Sequence, residues 1–214
     1  MTTIHVFDAY GTLFDVHSAV ARHAEAIGPA GGQVSAIWRA KQLEYSWVRT
    51  LSDRYLDFET LTEQALDFAL AAVPLANREC RADLLAAYQT LDCYSEVPEA
   101  LKRRRASGVK TAILSNGSPA MLAAAVESAG LGDLLDASIS VDPIRQFKTV
   151  PATYTLITDH FDCAPGDVTF HSSNRWDIAG ATAFGFQTVW VNRTGQPDEY
   201  ADLPPGRVVA DISV

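Results

Sequence analysis

The chain has 214 residues, 48% of them apolar, and a formal net charge of −9: enough chain for a sizeable core in one or two domains, and too acidic a surface for a nucleic-acid partner, whose phosphates need cations. No apolar run approaches the roughly 18 residues that cross a bilayer, and the N-terminus has no signal-type segment. Cys80, Cys93 and Cys163 are odd in number and widely spaced, which points to neither a disulfide framework nor a metal knuckle and fits a cytoplasmic location.

Ile4–Phe7 reads as a short buried strand, with Asp8 at its end and a Gly11-Thr12 turn beyond. In an open α/β sheet ligands bind outside the carboxyl ends of the strands, so Asp8 stands where a side chain can meet a substrate. The alternative is an Asp-x-x-Gly turn whose carboxylate only bonds backbone amides. Tyr10, two places on, stays protonated at neutral pH and cannot serve there as a second carboxylate.

From Asp15 to about Tyr94 no strand-like run occurs. Helical period dominates over Val16–Ile27, Val34–Leu51, Phe58–Ala72 and Arg78–Leu91, broken by Gly28-Pro29-Ala30-Gly31-Gly32 and Val73-Pro74. The segment 15–94 is therefore expected to be a helical cap inserted after the first strand, supplying pocket walls and excluding water. The core is expected to comprise 1–14 and 95–214. Lys102-Arg103-Arg104-Arg105 ends a helix before Gly108, where it complements the helix dipole on a solvated face.

Further strands are expected at Val109–Leu114, Ile139–Val141 (the weakest), Val168–Phe170 and Thr188–Val191, with helical stretches between the middle ones. That alternation predicts an α/β fold, a doubly wound parallel-sheet core with an inserted helical cap. A last strand is expected just before Val214. Asp8, Ser115-Asn116 and Ser172-Ser173-Asn174 sit at three strand ends and should converge on one crevice.

Six segments then carry a resemblance. Phe7-Asp8-Ala9-Tyr10-Gly11-Thr12-Leu13-Phe14-Asp15-Val16, Trp38-Arg39-Ala40-Lys41-Gln42-Leu43-Glu44-Tyr45-Ser46-Trp47, Ile113-Leu114-Ser115-Asn116-Gly117-Ser118-Pro119, Ser140-Val141-Asp142-Pro143, Phe147-Lys148 and Ser172-Ser173-Asn174-Arg175-Trp176-Asp177 stand in order. Together they resemble the L-2-haloacid dehalogenases of the haloacid dehalogenase superfamily, over nearly the whole chain. The resemblance implies a Rossmann-like core and hydrolysis of short L-2-haloacids to D-2-hydroxyacids through an aspartyl ester, in a homodimer. Its partners would be the 2-halocarboxylate, water and the released halide, with no cofactor.

The implied roles follow the needs of halide displacement. Asp8 is the nucleophile, ionised at neutral pH and able to form an ester. Lys148 holds its charge and orientation, and Thr12 bonds its carboxylate or caps a helix. Arg39 binds the substrate carboxylate or cradles the halide; Ser115 holds the carboxylate and Asn116 faces the halide. Tyr10, Leu43, Phe58 and Trp176 form apolar walls. Asp177 helps position or activate the water that cleaves the ester and pairs with Lys148, while Ser172, Asn174 and Tyr154 complete the catalytic set.

Metal-dependent relatives carry a second carboxylate in the first motif and further acidic residues in the last. Here Tyr10 and the Ser172-Ser173-Asn174 run stand in those places, so no metal site is expected. The sequence departs from the family at Thr149, where proline is common after the lysine, at Ala40, often glutamine, and at His171, usually small and apolar and here expected to be a satisfied buried histidine. Arg175 is expected to face solvent. Competing readings are a phosphatase of the same fold, disfavoured by Tyr10 and the depleted last motif, and a non-catalytic interaction protein, disfavoured by the surviving nucleophile and cations.

Overall fold

The computed structural model describes residues 3–213. Six parallel strands form one sheet in the order β3-β2-β1-β4-β5-β6: β1 Ile4–Phe7, β2 Lys110–Ser115, β3 Ala137–Ser140, β4 Val168–Ser172, β5 Gln187–Val191 and β6 Arg207–Val209. The inner strands are apolar on both faces, as strands covered by helices on either side must be. Val6, Phe7, Ala112, Ile113, Leu114, Val168 and Phe170 are all sealed from solvent. The sequence places five of these strands to within about two residues, and the last follows where a strand is expected.

Strand order reverses between β1 and β4, which pair in register Phe7↔His171. At such a switch point the connections leave in opposite directions and open a crevice at the strand ends. Asp8 follows β1, and Ser173-Asn174 follow β4.

Between β1 and β2 lies an all-helical insert: α1 Ser18–Arg22, α2 Ala24–Ile27, α3 Gly31–Leu51, α4 Phe58–Ala72 and α5 Arg81–Gln89. Three of the four predicted helical stretches match closely; the first is broken at His23 into two short pieces. Helix α4 starts where Asp57 accepts the amide of Thr60 at 2.8 Å, an N-cap that satisfies an orphan donor. Trp38 of α3 donates to the Thr62 carbonyl at 2.8 Å, and Gln42 donates to the Thr62 hydroxyl at 2.9 Å. These bonds fix the rotation of α3 against α4.

The core helices are α6 Val97–Ala106, α7 Pro119–Ser128, α8 Pro151–Phe161 and α9 Arg175–Phe184. Within the basic run Lys102, Arg103 and Arg105 are exposed, as expected, while Arg104 turns inward over the Phe7 ring at 5.5 Å. The expectation for Arg175 is overturned. It is 5% exposed; its Nε meets Asp198 at 2.6 Å, and Nη2 donates to the carbonyls of Glu199 and Leu203 at 2.6 and 2.8 Å. The segment after β5 folds back over α9, its carbonyls lack ladder partners, and one buried guanidinium satisfies them. All three cysteines are free, and among the described residues no helix is long and apolar enough to cross a membrane.

Candidate active site

Asp8 is reached through a tight turn. Gly11 adopts φ +92°, open to glycine and costly for other residues, and its amide donates to the Phe14 carbonyl at 2.7 Å. The turn brings Thr12 back onto Asp8, where its hydroxyl donates to Oδ2 at 3.0 Å. Asn174 Nδ2 donates to the same oxygen at 2.8 Å. The other oxygen, Oδ1, receives the Lys148 ammonium at 3.1 Å.

Lys148 is fully buried and bridges two carboxylates, reaching Asp177 Oδ2 at 2.8 Å. Tyr154 donates to Asp177 Oδ1, also at 2.8 Å. Burial alone would lower the Lys148 ammonium, but Asp177 and Asp8 more than offset this and hold it above its ordinary value. One cation between two anions leaves the deeper carboxylate short of charge. Asp177 is pushed up to about 6 by burial, and Lys148, opposed by the repulsion of Asp8, only partly offsets it. Burial also raises the phenols of Tyr10 and Tyr154 well above 10, so both stay neutral donors.

A small cavity of about 10 Å³, room for about one water molecule, is lined by Asp8, Tyr10, Arg39, Leu43, Phe58, Ser115, Asn116 and Trp176. These are the expected nucleophile and every residue that the sequence singles out for substrate contact, brought to one cavity. Asn116 Oδ1 accepts the Lys148 amide at 3.0 Å, which leaves its NH2 group to face the cavity. Ser115 Oγ accepts the Gly117 amide at 3.1 Å, leaving its proton to donate. Gly117 is required because a Cβ there would lie 2.7 Å from the Tyr10 ring. Arg39, from α3, uses Nη2 on the Tyr10 carbonyl and Asn174 Oδ1 at 3.1 and 3.2 Å.

Ser172 does not reach Asp8; its Oγ accepts the Asn174 amide at 3.0 Å and so orients that side chain. Ala40 is exposed and off the cavity wall. The Lys148–Thr149 peptide bond is cis. His171 is buried as expected but only half satisfied: Nε2 meets His5 Nδ1 at 3.0 Å and its own Nδ1 has no partner. Sequence reasoning missed Tyr88, stacked on Tyr10 with centroids 5.7 Å apart, and Ser140, which donates to the Gly117 carbonyl at 2.6 Å. Tyr88 lies on a helix whose aromatic residue reads as plain core. Ser140 sits inside a quoted motif, but only the fold brings it to the turn.

A magnesium ion does not fit this donor set. Lys148 stands between the two carboxylates that would share the ion, and a phenol and an amide replace the further acids. Among the described residues no cluster of three or more acidic, histidine or cysteine side chains could hold a metal.

A carboxylate at a switch point, a lysine locked against it and an arginine brought over from a helical insert define a capped α/β hydrolase with an aspartate nucleophile. The family model for haloacid dehalogenase-like hydrolases matches residues 3–185. The (S)-2-haloacid dehalogenase 1 of Pseudomonas sp. (strain CBS-3) is 47% identical over 209 residues, covering 97% of this chain and 92% of that protein. The (S)-2-haloacid dehalogenase 4A of Burkholderia cepacia is 44% identical, covering 97% and 90%. The L-2-haloacid dehalogenase of Xanthobacter autotrophicus, solved with chloropropionic acid covalently bound, superposes with a TM-score of 0.89 at 38% identity, covering all of this chain and 96% of that one. The chain belongs to the haloacid dehalogenase-like hydrolase family, among the (S)-2-haloacid dehalogenases.

Proposed function

We propose that this chain hydrolyses short (S)-2-haloacids to (R)-2-hydroxyacids through an ester on Asp8, without a metal. The observation that carries this reading is the seating of Lys148 between Asp8 and Asp177, beside a small cavity with one carboxylate and a fan of anion donors. Oδ2 of Asp8 already accepts two hydrogen bonds and Oδ1 only one. The free lone pair is therefore on Oδ1, which attacks C2 from the side opposite the halide. Arg39 and the Asn116 amide stabilise the departing anion, and the Ser115 hydroxyl holds the substrate carboxylate.

In the ester Oδ2 becomes the carbonyl oxygen. Thr12 and Asn174 are then already placed to hold the oxyanion that forms when water adds to Cγ. Asp177, the other carboxylate on Lys148, remains to take up the proton, and its raised pKa suits that work near neutral pH. Tyr154 and Ser172 act one bond further back, the first on Asp177 and the second on Asn174. Helices α1–α5 serve as the cap, residues 15–94, over a core of 1–14 and 95–214.

A homodimer is supported by an apolar groove of about 670 Å³ where Trp47 and Leu51 of α3 face Pro151, Trp176 and Tyr200. Its exposed aromatic and aliphatic residues are costly to leave in water, and light scattering of the purified protein reads the state directly. The free thiols fit a cytoplasmic setting.

The test is halide release from the separate enantiomers of 2-chloropropionate. One enantiomer alone should be consumed, and EDTA should leave the rate unchanged. In a single turnover with excess enzyme in heavy-oxygen water, label should enter the peptide containing Asp8 and not the first product, because the transferred oxygen is Oδ1. Product labelled in the first turnover would mean that Asp8 is a general base. Turnover of phosphate esters in place of haloacids would return the competing reading.

A further inference from the structure

Two short segments join the cap to the core, one running outward just after Thr12 and one returning before α6. They touch each other: the Asp15 amide donates to the Asp92 carbonyl at 2.8 Å, the Tyr94 amide donates to the Leu13 carbonyl at 3.0 Å, and Phe14 bridges Cys93. A third strand of structure crosses them. Arg193, two residues beyond β5, reaches over with its guanidinium. Nη2 donates to the Thr12 carbonyl at 2.9 Å, Nη1 pairs with Glu96 at 2.6 Å, and the group lies 3.8 Å from the centre of the Tyr94 ring. Its side chain is 15% exposed and that of Glu96 21%, so the pair is largely shielded from solvent screening.

We propose that Arg193 is the pin of the cap–core hinge, a positioning residue that holds the cap closed in register with the nucleophile loop. Thr12, whose carbonyl Arg193 grips, is the residue whose hydroxyl bonds Asp8. Glu96 and Tyr94 belong to the returning segment. A planar group with parallel donors and a stacking face can hold all three at once, which the point charge of a lysine cannot. The pin is needed because the two halves of the reaction site sit on opposite sides of the hinge: Asp8, Lys148 and Asn174 on the core, Arg39 on the cap. A cavity that holds about one water molecule admits a haloacid only when these sides part and come back. Reclosure must return Arg39 to within hydrogen-bond reach of the halide, and an error near 1 Å costs about 100-fold in rate.

The inference rests on the dehalogenase reading for its catalytic consequence and not for its structural one. Arg193→Gln removes the charge and the fork. The amides of Asp15 and Tyr94 should then exchange with solvent about tenfold faster, as local opening becomes easier. With 2-chloropropionate in single turnovers, halide release, which needs Arg39 from the cap, should slow by about 10- to 100-fold. Hydrolysis of the preformed ester relies on core residues and should stay within about threefold of the unmodified protein, by the same reasoning. Arg193→Lys should fall between, since one ammonium keeps Glu96 or Thr12 but not both. If Arg193→Gln does not fold, Glu96→Gln keeps the bond to Thr12 and should show the same pattern more weakly. Unchanged exchange at the hinge amides overturns the pin. So does faster exchange with halide release intact, or an equal slowing of both chemical steps. If the unmodified protein releases no halide, the functional reading fails, and the exchange measurement still decides whether Arg193 holds the hinge.

Discussion

At Asp177 two demands meet. Its carboxylate is fully buried, which favours the neutral form, yet it must be charged to share Lys148 with Asp8. With its pKa near 6, a proton arrives just below neutrality. That proton leaves the whole ammonium to Asp8, drawing electron density from the nucleophile and removing the acceptor for the later water. The kcat/KM profile, which reports the free enzyme, should therefore fall on the acid side near pH 6 and be flat above it. The bond from Tyr154 lowers the Asp177 pKa. Tyr154→Phe removes it, and a hydrogen bond to a charged group is worth about 1.5 to 3 kcal/mol, so the acid limb should move up by about one pH unit. An unmoved limb in that variant would assign the titration elsewhere.

At the scale of elements, α3 carries the cap's contribution to chemistry on one stripe. Arg39, Leu43 and Trp47 recur every four residues: the first two line the cavity and the third the neighbouring groove. Arg39→Ala should lower kcat/KM by about 100-fold or more, the effect of losing one donor to a developing anion in a closed site. Arg39→Lys should recover little of it. Near-normal activity in the alanine variant, with the melting temperature unchanged, would reduce α3 to a wall. The strands and helices were legible in the sequence because period and punctuation report burial directly. The cavity residues were legible because they fall in contiguous motifs at strand ends or on one helix face. Arg175 and Arg193 were not. Arg175 is buried by the carbonyls of a later loop and Arg193 is largely covered by Thr12, Tyr94 and Glu96, and an arginine beside charged or polar neighbours carries no local sign that such partners will converge on it. His171 was half legible: its burial follows from the strand, but its partner, His5, stands on another one.

For the molecule as a whole, that histidine pair makes acid stability a readable property. His171 stacks on Phe7 with centroids 4.6 Å apart and hydrogen-bonds His5, while Arg104 and Arg207 face the pair with like charge. Arg104 Nε donates to His5 Nδ1 at 3.4 Å, so that nitrogen is the acceptor and His171 Nε2 carries the proton between the rings. Burial holds His5 down to about 4 and His171 well below its usual value. The unfolded chain therefore binds more protons than the folded one below the ordinary histidine pKa of about 6.5, and stability falls as pH drops through that value toward 4. Asp177 pulls the other way. Its raised pKa means that the folded state takes a proton first, so its contribution rises as pH falls through 6. The net slope alone cannot separate these opposing terms, but a substitution can. His171→Val puts a residue suited to a buried strand on β4, removes one titrating ring and leaves Asp177 in place. It should melt lower than the unmodified chain at pH 7, having lost packing on Phe7. Between pH 7 and pH 5 it should then lose less stability than the unmodified chain does, so that the two melting temperatures converge. Parallel melting curves across that range would show that the histidine pair binds protons equally well in the folded and unfolded chain, and that its burial does not hold its pKa down.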